Sequence, residues 1–461
     1  MTGKNNNLRR RDLLKRVSYF TAGIAISQLA SCGSRNRASE VGTSTPNTEG
    51  QKNDREPIKL GLVAALTGES ALSGEAITRG LTVAIDTINE AGGVLGGRQL
   101  KLVRRDDEST PAKGIAVTRE LIEQEKVAVV FGGLDSPVSL AMLPVIHELK
   151  TPYMGVWAAA TGITRNDFEP NYAFRVSAND NLVDKFLLGY AKEKYKVSKV
   201  GLILINNPWG ESNQKGFEEW APKYNIEIAG IEKFNEKDND LTAQLTRLKN
   251  AGAEALMLVA NAAPAAQVMR SLTRINWDVP IVSHWGISGG RFPELAGNIA
   301  SRVEFMQTYS FFNAQSDTGQ KVLNKLNQKF QLKEPSQILA PVGIANAYDA
   351  LMLVAKAIET AGNTEGEKLQ AAFLNLPQYE GLIKTYNKPF TTDNHDALTE
   401  DDYIMVRWEG NQIVPVEKKS GGISTKLSSK DSSNFDRMFE KLSGSCFSCH
   451  EIRTNNCCLP Y

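Results

Sequence analysis

The chain has 461 residues, of which 41% are hydrophobic and 23% charged, a composition typical of a globular protein with two or three domains. Its 53 basic and 52 acidic side chains nearly cancel, which excludes a general electrostatic attraction to nucleic acid or another polyanion. We therefore expect a small molecule as the partner. The five cysteines stand at Cys32, Cys446, Cys449, Cys457 and Cys458, so no disulfide can brace the main body.

The N-terminal segment has the organisation of an export signal. A basic stretch at residues 9–15 (RRRDLLK) precedes a modestly apolar run at residues 17–30, which is too short to span a hydrocarbon core of about 30 Å. The sequence Leu-Ala-Ser-Cys that ends at Cys32 resembles a bacterial lipobox, which implies acylation of this cysteine. The basic stretch also resembles a twin-arginine signal, although an ordinary basic signal-peptide start is the alternative. We predict a signal at residues 1–32 and a flexible linker at residues 33–57.

Strands and helices alternate from residue 58 onward. The hydrophobic pattern predicts strands at residues 58–65, 99–103, 127–131 and 153–158, with helices at residues 74–91, 111–124 and 136–149. A second series follows, with strands at residues 200–205, 226–231, 255–260, 280–283 and 303–309, and helices at residues 181–195, 210–224, 241–251 and 264–275. Helices at residues 318–331 and 345–361 and a strand-rich stretch at residues 379–416 complete the body.

Apolar strands separated by helices predict parallel sheets covered on both faces. The expected fold class is therefore α/β, with two doubly wound, Rossmann-like lobes joined by a hinge. Parallel sheets bind ligands beyond the carboxyl ends of their strands, so two such sheets predict a cleft that closes by hinge motion.

Several segments resemble the branched-chain amino acid and amide-binding family of type I periplasmic binding proteins. They are IKLG at residues 58–61, LTG at 66–68, Gly80, INEAGGV at 88–94, GGR at 96–98, RDD at 105–107, FGG at 131–133 and the segment at residues 390–396. The resemblance covers residues 58–418. It implies the two-lobed fold, capture of a solute for the permease subunits of an ABC importer, and no cofactor for binding.

The expected lobe boundaries follow from that resemblance. Lobe 1 is expected to comprise residues 58–177 and 308–380, and lobe 2 residues 178–307 and 381–418. Residues 419–461 form a tail.

The resemblance also implies candidate ligand contacts in lobe 1. A hydroxyl and backbone N–H groups hold a ligand carboxylate or amide in this family, and these positions correspond to Ser136, Ala159 and Thr161. A helix N-terminus offers unpaired N–H donors to such a group. The alternative is that Asp135 or Ser136 only caps its helix.

Lobe 2 departs from the amino-acid-binding pattern. The family commonly places a tyrosine, an apolar or aromatic residue and an acidic residue there, whereas this chain has Trp209, Asn261 and Trp285. Burial of an ammonium group without a carboxylate is costly, although Asp135 can supply the missing charge. We therefore expect an amide, an aromatic acid or a quaternary amine as readily as an amino acid. Packed core is the alternative role for any one tryptophan. Further expected contacts are Ser73, Trp157 and His284.

One motif raises an enzymatic alternative. Residues 286–290 (GISGG) match the Gly-x-Ser-x-Gly elbow of hydrolases, but Gly290, Arg291 and the Phe292-Pro293 pair are expected to prevent the helix that an elbow serine requires. The sequence contains neither a phosphate-binding loop of the Gly-x-x-x-x-Gly-Lys type nor a His-Glu-x-x-His site. We expect no catalytic site.

The tail carries a Cys-x-x-Cys-His motif at Cys446, Cys449 and His450, the attachment signature of c-type haem. Only eleven residues follow His450, too few for a complete cytochrome domain. A disulfide, a metal site that includes Cys457 and Cys458, and a tail without a role are the alternatives. The sequence thus predicts an exported, lipid-anchored solute receptor on the outer side of a bacterial membrane. The alternative is a haem-bearing redox or sensing protein that uses the lobes as its receptor.

Overall fold

The computed structural model describes residues 56–416. The predicted lipidation site at Cys32 and the haem motif at Cys446, Cys449 and His450 lie outside the described residues. The described body contains two large sheets flanked by helices, in agreement with the expected α/β class.

The first sheet is built by the first series of β–α units. Its five strands are all parallel, in the order β2-β1-β3-β4-β5. The elements are β1 (Ile58–Ala64), α1 (Ala71–Glu90), β2 (Leu100–Asp106), α2 (Pro111–Glu123), β3 (Val130–Gly132), α3 (Ser136–Glu148), β4 (Tyr153–Gly155) and β5 (Ala173–Arg175).

The second series builds most of the second sheet. These elements are α4 (Asp180–Tyr195), β6 (Lys199–Ile205), α5 (Pro208–Trp220), β7 (Glu227–Phe234), α6 (Thr242–Asn250), β8 (Ala255–Val259), α7 (Ala262–Arg274), β9 (Ile281–Ser283), α8 (Phe292–Ala296) and β10 (Val303–Gln307). All five strands are parallel, and β6 and β8 are apolar and buried along nearly their whole length. Helices therefore cover both faces of this sheet.

The remaining elements return to both sheets. They are α9 (Asp317–Phe330), α10 (Pro341–Ala361), α11 (Gly366–Phe373), β11 (Tyr379–Glu380), β12 (Thr385–Tyr386), β13 (Ile404–Glu409) and β14 (Gln412–Pro415). Helix α10 packs against α1 of the first lobe, whereas β13 pairs antiparallel with β10 and extends the second sheet. The second sheet thus has the order β14-β13-β10-β9-β8-β6-β7.

Helices α1 and α10 approach each other closely at Gly80. A Cβ atom on this glycine would lie only 2.3 Å from the backbone oxygen of Ile344, so a side chain here would push the helices apart. Helix α10 is long and apolar enough to span a membrane, but it is mostly buried inside the described body. Its composition is therefore that of a core helix.

The described chain passes between the sheets after β5, after β10 and again before β13. Fully buried Arg175, at the first passage, donates from Nε to Asp396 Oδ1 at 2.7 Å, and Asp396 lies in the third. Asn179 Nδ2 donates to the second carboxylate oxygen at 2.6 Å, and Thr164 donates to the first. Burial opposes ionisation of Asp396, but Arg175, Asn179 and Thr164 outweigh it and hold the pKa of this carboxyl below its ordinary value. This ion pair therefore fastens two passages together.

No helix begins directly after Ser288, because Gly290 is extended and Arg291 is also non-helical. The role expected of Pro293 is wrong: it lies in the first turn of α8, where its missing N–H has no helical partner to lose. Residues Trp285–Gly289 themselves form a short 3-10 helix.

Candidate functional site

Segments that follow strand ends in both sheets line a small cavity, here called the inner cavity. Its volume is about 10 Å³, which is room for about one water molecule. Seven predicted ligand contacts line it: Asp135, Ser136, Trp157, Ala159, Trp209, Asn261 and Trp285. The segments after β3 and β4 contribute the first four, and segments after β6, β8 and β9 contribute the others.

A larger space of about 470 Å³, here called the outer cavity, adjoins the inner one. The two cavities share Asp135, Trp209 and Asn261 among their walls. The outer cavity also presents carboxyl side chains at Glu69, Glu108 and Glu236. Its size is within the range of about 300–1,000 Å³ that small-molecule pockets occupy.

Three tryptophans line the inner cavity. The rings of Trp157 and Trp285 lie 6.1 Å apart at their centroids, and both side chains are buried. Trp209 contacts the His284 ring edge-on at 5.1 Å. Within the described chain, the Trp157 Nε1 donor has no hydrogen-bond partner although it is buried. Such a group is rare in native proteins and indicates a site where a ligand or a water completes the pairing.

Asp135 joins the two lobes. Its Oδ1 accepts a hydrogen bond from Asn261 Nδ2 at 3.1 Å, whereas the buried Oδ2 has no partner within residues 56–416. Asp135 occupies the N-cap position of α3, but its side chain forms no capping hydrogen bond. Burial raises the pKa of Asp135, while the Ser109 and Asn261 side chains oppose the rise. An Asp135 carboxylate without a full set of donors is therefore available to a ligand.

The lobe 1 donors implied by the family resemblance are already engaged. Ser136 Oγ accepts hydrogen bonds from the backbone N–H groups of Ala159 at 3.2 Å and Ala160 at 3.1 Å. Ser136 can still donate its hydroxyl proton to a ligand.

Three predicted contacts, Ser73, Thr161 and His284, line neither cavity in the described structure. Ser73 is buried and donates to the backbone oxygen of Ser70 at 2.6 Å. Thr161 donates from Oγ1 to Asn179 at 3.0 Å, and its backbone N–H donates to Ser212 Oγ of α5 at 3.0 Å. Thr161 therefore contacts the opposite lobe directly.

Asp180, which sequence reasoning missed, supports the aromatic wall from behind. Its fully buried Oδ1 accepts from Trp209 Nε1 at 3.1 Å and from His284 Nε2 at 3.0 Å. The Trp285 N–H donates to His284 Nδ1 at 2.8 Å, so the ring proton lies on Nε2. No sequence signal identifies this role, because an aspartate in a first helical turn is ordinary and its partners lie far away in the chain.

Ser288 of the GISGG motif is not placed as a nucleophile. Its fully buried hydroxyl donates to the backbone oxygen of Trp285 at 2.7 Å and accepts from Gln307 Nε2 at 3.1 Å. His395, the one histidine that follows Ser288 within residues 56–416, contacts the backbone oxygen of Ala173. The serine thus stabilises the 3-10 turn that holds Trp285.

Asp107, which lies behind the outer cavity, gives a testable pH dependence. Burial, with added repulsion from Asp135 and Asp106, raises its pKa from 3.8 to about 7, although the Ser109 N–H opposes the rise. Between these values the folded state keeps a proton that the unfolded state has lost, so the free energy of unfolding falls as pH rises. We expect Asp107→Asn to reduce this fall by on the order of 2–4 kcal/mol between pH 4 and pH 8.

Urea unfolding at several pH values measures this difference. Asp167→Asn, at an exposed position of the same lobe, is the matched control and should leave the pH profile of the wild type intact. An Asp107→Asn profile parallel to that of the wild type would show that Asp107 does not titrate in this range.

Parallel sheets joined by three passages, with a cavity at their strand ends, define a two-lobed ligand-binding protein of the α/β type. The family model described as periplasmic binding protein matches residues 57–412, and the chain belongs to this family. Its relatives place it among the type I proteins of the branched-chain amino acid-binding group. These homologues are solute-binding proteins of transporters and not enzymes, in agreement with the expectation that this chain is not an enzyme. The family acts outside the cytoplasm, works with ABC permease subunits and needs no cofactor to bind its ligands.

Named relatives cover most of the chain. The Leu/Ile/Val-binding protein homolog 3 of Brucella melitensis is 24% identical over 361 residues, which are 78% of this chain and 94% of that protein. The leucine-, isoleucine-, valine-, threonine- and alanine-binding protein of Pseudomonas aeruginosa is 24% identical over 77% of this chain and 90% of its own length.

Solved structures agree with the fold. A branched-chain amino acid transporter substrate-binding protein from Streptococcus pneumoniae, in complex with isoleucine, matches with a TM-score of 0.66 and 25% identity, over 78% of this chain and 98% of its own. A solute-binding protein from Rhodopseudomonas palustris, in complex with 4-hydroxybenzoate, matches with a TM-score of 0.67 and 20% identity, over 79% of this chain and 96% of its own.

Proposed function

We propose that this protein is an exported, lipid-anchored receptor that captures a small polar ligand in the inner and outer cavities for an ABC importer. The observation that carries the proposal is the shared wall of the two cavities, to which Asp135 of one lobe and Trp209 and Asn261 of the other contribute. A ligand bound there contacts both lobes and stabilises their closed arrangement. Amino acids, amides, aromatic acids and amines are the ligand classes to test.

The proposed contacts are Asp135, Ser136, Ala159, Trp209, Asn261 and Trp285. The proposed lobes comprise residues 58–177 with 308–380, and residues 178–307 with 381–418. The pairing of β13 with β10 supports the assignment of the last strands to lobe 2, and the packing of α10 on α1 supports the return to lobe 1.

A thermal-shift screen of the protein against these ligand classes tests the receptor function. A ligand that binds only the folded state stabilises it by about 2.7 kcal/mol at a concentration one hundred times its dissociation constant. We therefore expect at least one class to raise the melting temperature. We also expect Trp209→Ala to abolish most of the ligand-induced increment, measured against the variant's own ligand-free melting temperature.

Trp220→Ala is the matched control, because Trp220 lies at the other end of the same helix and lines neither cavity. It should keep the increment of the wild type. If ligands of every class leave the melting temperature unchanged, the receptor function fails. An equal increment in both variants would move the binding site away from Trp209.

Lipid anchoring at Cys32 rests on the Leu-Ala-Ser-Cys sequence, and twin-arginine export rests on the basic stretch at residues 9–15. Metabolic labelling with a fatty acid, compared between the wild type and Cys32→Ser, tests the anchor. Label in both proteins would contradict it.

The tail motif supports a second candidate function, a haem-bearing redox or sensing protein. Cys446, Cys449 and His450 have the spacing for two thioether bonds and one axial ligand. An absorption spectrum of the full chain from a host that matures c-type cytochromes tests it. A spectrum without a haem band contradicts this function.

A further inference from the structure

The walls of the two cavities carry an excess of negative charge. Asp135 lines both cavities, and Glu69, Glu108 and Glu236 line the outer one. Lys237 is the one basic side chain among the residues that line either cavity in the described structure. Since low-dielectric walls focus such a field, the cleft attracts cations and repels anions.

A further carboxylate, Asp180, contacts the Trp209 side chain. Asp180 is fully buried, and its Oδ1 accepts hydrogen bonds from the Trp209 indole and the His284 ring. Both donors to Oδ1 are dipolar ring N–H groups and not cations. The second oxygen, Asp180 Oδ2, has no hydrogen-bond partner among residues 56–416. Trp209, which lines the inner cavity together with Asp135, is therefore also held by a second buried carboxylate.

Two unpaired groups specify what a ligand must offer. Asp135 Oδ2 needs a donor, and fully buried Trp157 Nε1 needs an acceptor; both lack partners in the described chain and belong to residues that line the inner cavity. The Ala159 and Ala160 N–H groups, in contrast, already donate to Ser136 Oγ. The inner cavity thus favours an ammonium group beside a neutral oxygen over a carboxylate.

Cavity size limits the shape of the cationic group. The inner cavity has a volume of about 10 Å³, against about 470 Å³ for the outer cavity. A primary ammonium is close to a water molecule in size, whereas a trimethylammonium group would force the lobes apart. The rest of the ligand has room in the outer cavity.

We infer that the ligand is a primary amine with net positive charge, whose ammonium group lies against Asp135 among the three tryptophans and whose neutral oxygen accepts from Trp157. This inference rests on the proposed receptor function. It places the ligand's cation against lobe 1, whereas the family pattern holds the ammonium group in lobe 2.

A charge series on common scaffolds tests the inference. Calorimetry on the full chain compares leucine, phenylalanine and glutamine, each as its carboxamide (cationic), free amino acid (zwitterionic) and N-acetyl derivative (anionic). For the scaffold that binds best, we expect the carboxamide to bind at least tenfold more tightly than the free amino acid. We expect no binding of the N-acetyl form, and weaker carboxamide binding as NaCl rises from 50 to 500 mM.

Asp135→Asn should remove most of that tenfold preference and most of the salt dependence, while Asp167→Asn, the same exchange at an exposed site of lobe 1, should retain both. Tightest binding of a zwitterion or an anion, or an unchanged preference in Asp135→Asn, overturns the inference and leaves the receptor function in place. Absence of binding by all nine compounds overturns the inference, and the receptor function falls only if the wider thermal-shift screen is also silent.

Discussion

Replacing Arg175 with methionine is expected to lower the free energy of unfolding by about 3–5 kcal/mol. The guanidinium is fully buried, and it donates to Asp396, to Thr164 at 2.8 Å and to the backbone oxygen of Ala160 at 3.0 Å. Its loss leaves the buried Asp396 carboxylate with the half-exposed Arg165, whose Nε lies 4.0 Å from Oδ2, as its remaining cation. Desolvation of the poorly compensated charge dominates the cost. Urea unfolding at pH 7 measures the change.

Two further variants isolate the cause. Arg274→Met removes an exposed ion pair with Asp240 at 3.4 Å and should cost less than about 1 kcal/mol. Arg175→Met combined with Asp396→Leu removes both charges and should recover part of the lost free energy. A double variant no more stable than Arg175→Met would mean that packing, and not the Asp396 charge, produces the loss.

Exchange of Gly80 for alanine is expected to destabilise the protein by about 1–3 kcal/mol. The new Cβ would lie 2.3 Å from the Ile344 oxygen and 2.9 Å from its Cα atom, both in the backbone of α10. Rigid backbone atoms cannot move aside as a side chain can, so α1 and α10 must separate. This cost exceeds the gain of up to about 1 kcal/mol from the higher helix propensity of alanine.

Gly189→Ala supplies the comparison for this prediction. Gly189 also lies inside a helix, but the three atoms nearest to its Cβ would belong to the Tyr224 side chain, at 3.3 Å or more. We expect the melting temperature of Gly189→Ala to equal or exceed that of the wild type, while that of Gly80→Ala falls. If the melting temperatures of both variants change by the same amount, helix propensity decides the outcome. The contact between α1 and α10 then accommodates a methyl group without loss of stability.

The α/β architecture was predictable because apolar strands and amphipathic helices differ clearly in period. The predicted helix at residues 181–195, for example, corresponds to Asp180–Tyr195. Short elements were missed where tertiary contacts decide the structure. Strand β5 has three residues, and its pairing with β4 depends on the preceding loop. Helix α11 was also missed, and its eight residues pack against α10.

The walls of the cleft were predictable in part, because parallel strands bring their carboxyl ends to one edge. The family resemblance, applied to the predicted strand ends, identified Asp135, Trp209 and Asn261 as candidates. Contacts between side chains far apart in sequence were not predictable: Asp180 pairs with a histidine 104 residues away. The hydrogen bonds from Thr161 to Ser212 and from Ala159 to Ser136 likewise correspond to no periodic pattern in the sequence.

The two ends of the described body belong to different lobes. Glu56 lies two residues before β1 of the first sheet, and Val416 directly follows β14, the edge strand of the second. Opening of the cleft therefore changes the distance between these two positions. A donor and an acceptor fluorophore at these two positions would turn the protein into a ratiometric optical sensor for its own solute, with no label inside the cleft.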